Sequence, residues 1–241
     1  MNIRQFLISN VLTVKSYLSI IRFFKRKNEK KFRPVNITYF LELISKNPVK
    51  FIQIGANDGQ LNDPIYPHIK SAGWKGVLVE PLPTLIEKLK INYAGIVGLV
   101  FENVGIADAD SQMDFFYLPE QFNEPDWLQQ IGTFDRKAIE LNLEVLPAML
   151  PHVKSVKIPT ISLPTLIKRN KIENLDILII DAEGFEYKIL KQLELLEVIP
   201  NYILFEWGCL DTNEYTQLIN ILTKRQYELF QSGGDILAVK N

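Results

Sequence analysis

The run Asp176-Ile177-Leu178-Ile179-Ile180 constrains the fold more than any other part of this 241-residue chain. Four consecutive branched apolar residues, with no polar alternation, must be covered on both faces. That is the condition of an interior strand in a parallel sheet. The run stops at Asp181-Ala182-Glu183-Gly184, and the same pattern recurs elsewhere. Residues 50–54 end in Gly55-Ala56-Asn57-Asp58-Gly59, residues 76–80 end at Glu80-Pro81, and residues 202–206 end at Glu206-Trp207. Residues 99–103 and 113–118 read as further strands. Helical segments fall between them: one ending near Gly73, then 83–93, 163–170, 185–196 and 213–224. This alternation predicts an α/β domain with a mostly parallel sheet and helices on both faces. Residues 227–230 and 236–239 flank Ser232-Gly233-Gly234-Asp235, a hairpin signal that makes the last strand antiparallel. Residues 119–151, with several prolines and weak periodicity, read as an insertion near the site.

Charge divides the chain at about Arg33. Residues 1–33 hold nine Lys and Arg against the single acid Glu29, whereas the body, residues 34–241, carries a net charge of -9. So acidic a body has no broad basic face for a nucleic-acid backbone, which excludes nucleic acid as the principal partner. A single cysteine, Cys209, allows no internal disulfide, and no Cys/His spacing indicates zinc. Within the arm, Leu7, Val11, Val14, Leu18 and Ile21 fall on one helical face. Lys15 divides the apolar stretch into runs too short to span a bilayer, and no small-residue cleavage site follows. The chain is therefore read as cytoplasmic. The stripe suits packing on its own domain or on a second subunit, as in a homo-oligomer. Joined to Arg22, Lys25, Arg26, Lys27, Lys30, Lys31 and Arg33, it also suits peripheral contact with an anionic inner membrane face.

In a doubly wound sheet, ligands sit outside the carboxyl ends of the strands, near the point where strand order reverses. Gly55 and Gly59 permit a tight turn and close approach of backbone to a ligand. Glu80 ends the next strand at roughly the spacing where an acid accepts hydrogen bonds from a ribose diol. The loop nevertheless departs from G-x-G-x-x-G at Asn57 and Gln60, which disfavours a dinucleotide pyrophosphate and a nicotinamide oxidoreductase. A nucleoside without phosphates remains, of which S-adenosylmethionine is the common one. Asp181, Glu183, Glu186 and Glu206 gather at two strand ends, where converging acids raise one another's pKa or hold a divalent metal. Glu183 or Glu186 could equally serve only the start of the following helix. His68 and His152 are alternative bases, each beside a proline. Trp207 could stack on a sugar ring or belong to the core.

In order and spacing, Ile52-Gln53-Ile54-Gly55-Ala56-Asn57-Asp58-Gly59, Val79-Glu80-Pro81 and Asp176 to Glu186 resemble the FkbM family of S-adenosylmethionine-dependent methyltransferases. The resemblance covers roughly residues 48–241. It implies a class I methyltransferase fold with a seven-stranded sheet, and methylation of a hydroxyl on a saccharide or similar acceptor. By that resemblance, Gly55, Ala56, Asn57 and Gly59 line the methionine and ribose part of the cofactor. Glu80 takes the ribose hydroxyls, Pro81 and Leu82 flank the adenine, and Asn103, Gly105 and Ile106 form its other wall. Asp181 lies beside the methyl-bearing end, with Glu183 and Glu206 as further catalytic acids and a divalent metal as an open addition. The family more often has aspartate where this chain has Gln53. A non-catalytic scaffold that keeps the cofactor fold and is held at a membrane by the arm is the alternative from a different class.

Overall fold

The computed structural model describes residues 32–119, 128 and 130–241. The expected arm therefore lies outside the described residues, except for Phe32 and Arg33. Along the chain the first elements are β1 (Arg33–Pro34), α1 (Ile37–Ile44), β2 (Lys50–Ile54), α2 (Tyr66–Ala72), β3 (Lys75–Val79), α3 (Pro83–Asn92) and β4 (Leu99–Glu102). There follow β5 (Gly105–Ile106), β6 (Ser111–Tyr117), β7 (Gly132–Thr133), α4 (Arg136–Asn142) and β8 (Lys154–Ile161). The last part holds α5 (Leu163–Arg169), β9 (Ile177–Ile180), α6 (Glu186–Leu190), β10 (Tyr202–Glu206), α7 (Thr212–Lys224), β11 (Tyr227–Ser232) and β12 (Asp235–Lys240).

The alternation does produce an α/β fold, but the main sheet is mixed and eight-stranded, with order β1-β11-β12-β10-β9-β2-β3-β4. The expected count of seven is corrected by β1, a two-residue strand that pairs parallel with β11, with Arg33 ion-paired to Glu228. Two residues carry too little pattern to be read as a strand. β12 runs antiparallel to both β10 and β11, as the Gly233-Gly234 hairpin requires. A second sheet, β5-β8-β6-β7, was not expected. Its longest pairing joins β6 to β8 antiparallel across about forty residues, so no local turn announces it. The helix expected over 185–196 ends at Leu190, and Lys191–Leu195 continues as a 3₁₀ turn. There the buried Gln192 side chain donates to the Ala107 carbonyl and accepts from Leu163 N–H.

Strand alternation sends the two faces of the sheet into separate cores. Phe51, Leu78, Ile177, Ile179 and Leu204 pack under α1 to α3. Ile52, Ile54, Val77, Leu178, Ile180 and Ile203 pack under α5 to α7. Ile177 and Leu178, adjacent in β9, are both fully buried, one toward each core. Each such side chain contributes roughly 1.5–3 kcal/mol of transfer free energy. The coverage on both faces is what the uninterrupted apolar run required.

Candidate active site

After β2 the chain moves outward through β3 and β4, and it later returns to the other side of β2 with β9 and β10. Strand order therefore reverses between β2 and β9. A cleft of about 400 Å³ opens there, at the carboxyl ends of β2, β3, β9 and β10, and Phe115, Tyr117 and Phe134 of the second sheet and its β7 loop close one side. Its polar lining is one-sided in charge: Asp63, Glu80, Asp181, Glu183, Glu206 and Asp235 are present, and none of the described lining residues is basic.

Gly55 has φ +81°, and a Cβ there would lie 1.7 Å from the Asp181 carbonyl oxygen. Glycine is required because β2 and β9 converge where the loop leaves the sheet. Ala56 and Asn57 line the cleft beside it, with Asn57 also left-handed at φ 49°. Gly59 does not line the cleft. A Cβ there would meet Leu89 and Tyr93 at 2.3 and 2.5 Å, so its role is to let the loop pack on α3. Glu80 is buried, and its two carboxylate oxygens accept separately from Asn57 N–H and Leu82 N–H, both at 2.9 Å. Burial pushes Glu80 up to about 7, although both N–H bonds pull the other way. One carboxylate thus ties the two cleft loops together.

Pro81, Leu82 and Ile106 line the apolar side, joined by Val104 and Leu85. Asn103 and Gly105 do not. The Asn103 amide donates to the carbonyls of Glu80 and Pro81, which fixes the loop from behind. A Cβ on Gly105 would meet the Phe134 ring at 2.1 Å, so this glycine admits an aromatic wall.

Carboxylate oxygens of Asp181, Glu183 and Glu206 lie within 4.8 Å of one another. Asp181 is accessible through the cleft yet surrounded by protein atoms. That desolvation, with the charges of Asp235 and Asp63, raises its pKa. Burial likewise pushes Glu206 up to about 7 and, with the charge of Asp181, raises Glu183. Glu183 has φ 47°, unusual for a residue with a long side chain, and backbone strain of this kind is typical of functional turns. Its carboxylate accepts from Asn142 at 2.7 Å, with the Cys209 thiol 3.6 Å away. Burial pushes that thiol up to about 12, which favours its protonated form.

Glu186 is buried and lies outside the cleft. It accepts from Ala182 and Gly184 N–H at 2.7 and 3.0 Å, so the last acid of the motif holds the turn that presents Asp181. His68 is buried as well, bonded to Ser45 and stacked on Trp74. His152 is exposed, and neither histidine lines the cleft. Trp207 packs on Tyr215 and against the core rather than in the cleft. Sequence reasoning missed Asp63, Asn142, Asp235 and the ring of Phe134. Only Gln53, the position where the resemblance failed, pointed toward one of them.

A family model described as "Methyltransferase FkbM domain" matches residues 53–229. No curated protein matches the chain in sequence. Among solved structures the chain is similar to the FkbM methyltransferase of Methylobacillus flagellatus KT, with 11% identity over 80% of this chain and a TM-score of 0.46. The match spans 43% of that protein. An S-adenosylmethionine-dependent O-methyltransferase of Thermotoga maritima is 9% identical over 95% of this chain and 71% of its own, with a TM-score of 0.44. A ribosomal protein L11 methylase of Lactobacillus delbrueckii subsp. bulgaricus is 12% identical over 85% of this chain and 80% of its own, with a TM-score of 0.41. Likenesses this distant say nothing of substrate.

Proposed function

The chain belongs to the FkbM methyltransferase family, and from that premise we propose that it transfers the methyl group of S-adenosylmethionine to a hydroxyl of a saccharide or similar polyhydroxylated acceptor. The observation that carries the reading is the charge of the cleft, where six carboxylates meet no basic lining residue among those described. Such a site repels a pyrophosphate and attracts a cofactor whose sulfur is positively charged. Setting β1 aside, seven strands remain in the main sheet and only the last is antiparallel, which supports the class I architecture the resemblance implies.

Each Glu80 oxygen holds one backbone N–H, and an ionised carboxylate retains acceptor capacity for two ribose hydroxyls. Those hydroxyls favour the ionised form, which burial disfavours in the free protein. Pro81, Leu82, Ile106 and Phe115 offer an apolar slot for the adenine. In the transfer, the acceptor oxygen bonds to the methyl carbon and the carbon–sulfur bond breaks. Its electron pair neutralises the sulfonium. The acceptor proton passes to Asp181, whose raised pKa suits a base near neutrality. Glu183 and Glu206, both raised by burial and by the charge of Asp181, line the cleft beside it. The three acids also fit a divalent cation with oxygen ligands, which would acidify the hydroxyl. No described helix is long and apolar enough to cross a membrane. The proposal keeps residues 1–33 as a basic arm for an anionic surface or a second subunit, outside the catalytic body in the cytoplasm.

Calorimetric titration with S-adenosylhomocysteine tests the reading. Micromolar binding is expected. A folded protein that shows no heat at millimolar ligand would overturn it.

A further inference from the structure

The acids of the cleft differ in what holds them. Glu80 accepts from Asn57 and Leu82 N–H, and Asp63 accepts from Ile65 N–H and from the Gln53 amide at 3.1 Å, so both are tied within the strands and loops that carry them. Glu183 is held from a different part of the chain. Its Oε2 accepts from the Asn142 amide, 41 residues away, at 2.7 Å. Asn142 is the last residue of α4, in the stretch read from the sequence as an insertion near the site. The orientation of its amide is fixed from behind, because the Cys209 thiol donates to Asn142 Oδ1 at 3.3 Å. A flipped amide would turn its oxygen against the Glu183 carboxylate. α4 reaches this position by close packing on the acid turn. A Cβ on Gly184, at φ +97°, would meet the Ala138 methyl at 2.8 Å, and α4 is itself seated through Ile139 and Leu143 in a small core apart from the two under the sheet.

We propose that Asn142 is a positioning residue for methyl transfer: it holds the Glu183 carboxylate in the cleft beside Asp181 and Glu206, so that α4 sets one of the charges met by the cofactor's sulfonium. The proposal rests on the cofactor reading above and deepens it, since it names a residue outside the strand-end motifs that acts on the site through Glu183. Three carboxylates whose oxygens come within 4.8 Å repel one another, and that repulsion favours turning Glu183 away from the other two. Its inward position therefore depends on a donor that reaches it. Its left-handed backbone, at φ 47°, is likewise a conformation that persists only where the surroundings fix it, and α4 is the element packed there. The kind of donor matters as much as its reach. A lysine or arginine would hold Glu183 as firmly but would cancel the negative charge that attracts a sulfonium. An amide donates without adding charge, and the cleft keeps its field.

The test reads charge selectivity in the full-length protein, as the ratio of affinities for S-adenosylmethionine and S-adenosylhomocysteine measured by calorimetry without acceptor. The two ligands differ only by the methyl group and its positive charge. In Asn142→Leu, which keeps the shape and lacks the donor, that ratio should fall at least about fivefold from wild type, with S-adenosylhomocysteine affinity within about threefold. Glu183→Gln should lower it likewise, and the double variant no further than Glu183→Gln alone, because Asn142 acts through Glu183. Cys209→Ala frees the amide without altering Asn142 or Glu183 and should lower the ratio at least about twofold, while Cys209→Ser keeps a donor and should restore it. A wild-type ratio in Asn142→Leu or in Cys209→Ala, or losses that add in the double variant, overturns the proposal while leaving the cofactor reading intact. A folded wild type that binds neither ligand overturns the cofactor reading itself, and the role of Asn142 with it.

Discussion

Raising the pH should destabilise the ligand-free protein, and Glu80 allows the effect to be sized. Burial lifts its pKa from 4.5 to about 7. Between those values the folded state binds more protons than the unfolded chain, so stability is fully present below pH 4.5 and is lost as pH rises through 7. That rise corresponds to about 3 kcal/mol. At roughly 2–4 °C per kcal/mol for a chain of this size, the unfolding midpoint should fall by about 6–12 °C from this group alone. Glu206 and Glu186, also raised by burial, act in the same direction. His68, whose pKa burial lowers, opposes them. The contribution of Glu80 is therefore isolated by a difference. Scanning calorimetry of wild type and Glu80→Gln from pH 5 to 8 should show a descending midpoint in both, shallower in the variant by most of that amount. A wild-type midpoint that rises over this range, or a variant whose slope matches wild type, would refute the reasoning.

Asp181→Asn preserves shape and removes the charge, so turnover should fall about a hundredfold, the scale for losing a general base, while S-adenosylhomocysteine affinity changes less than tenfold; wild-type turnover would remove Asp181 from the mechanism. Gly55→Ala places a methyl group against the Asp181 carbonyl at a positive φ and should cost at least about 3 kcal/mol in denaturant unfolding; a loss under 1 kcal/mol would show that the loop moves freely. Glu186→Ala strands the Ala182 and Gly184 N–H groups and should cost about 2 kcal/mol of stability, with cofactor binding less affected than in Glu80→Ala. The reverse ranking, read by calorimetric titration, would place Glu186 in the site.

What the sequence disclosed depended on how local the constraint was. β9 was legible because four consecutive apolar residues state their own burial, and Gly55 because a strand end demanded a positive φ. Gly59 was visible as a glycine but not as a packing contact, since Leu89 and Tyr93 that exclude its Cβ lie about thirty residues on. Asn103 was placed in the cofactor wall by the resemblance, yet its amide donates to the carbonyls of Glu80 and Pro81. Of the sheet β5-β8-β6-β7 only the strand at 113–118 was legible, because the register of β6 on β8 is set by a partner about forty residues away and no turn joins the two. Asp63 was hidden for the opposite reason: it sits in a loop without periodicity, and its only clue was the mismatch at Gln53.

The acids of the cleft also bear on how the proposed reaction balances its charge. Bound S-adenosylmethionine would bring a positively charged sulfur into a cleft lined by Asp181, Glu183 and Glu206. After transfer the sulfur is neutral and the proton sits on Asp181. One unit of positive charge has moved from sulfonium to carboxylate within the same low-dielectric space, and the net charge of the cleft is unchanged. No ion need enter or leave for the chemical step, which matters where an uncompensated charge costs several kcal/mol. The product cofactor, however, has lost its attraction to the acids, while Asp181 must return its proton to solvent before the next cycle. Glu206, with a pKa near 7 and within 4.8 Å of Asp181, is placed to accept that proton and pass it outward. On this account Glu206→Gln slows the steps after methyl transfer more than the transfer itself. Single-turnover rates should therefore stay within a few-fold of wild type while steady-state turnover drops, and an equal loss in both would assign Glu206 to the chemical step.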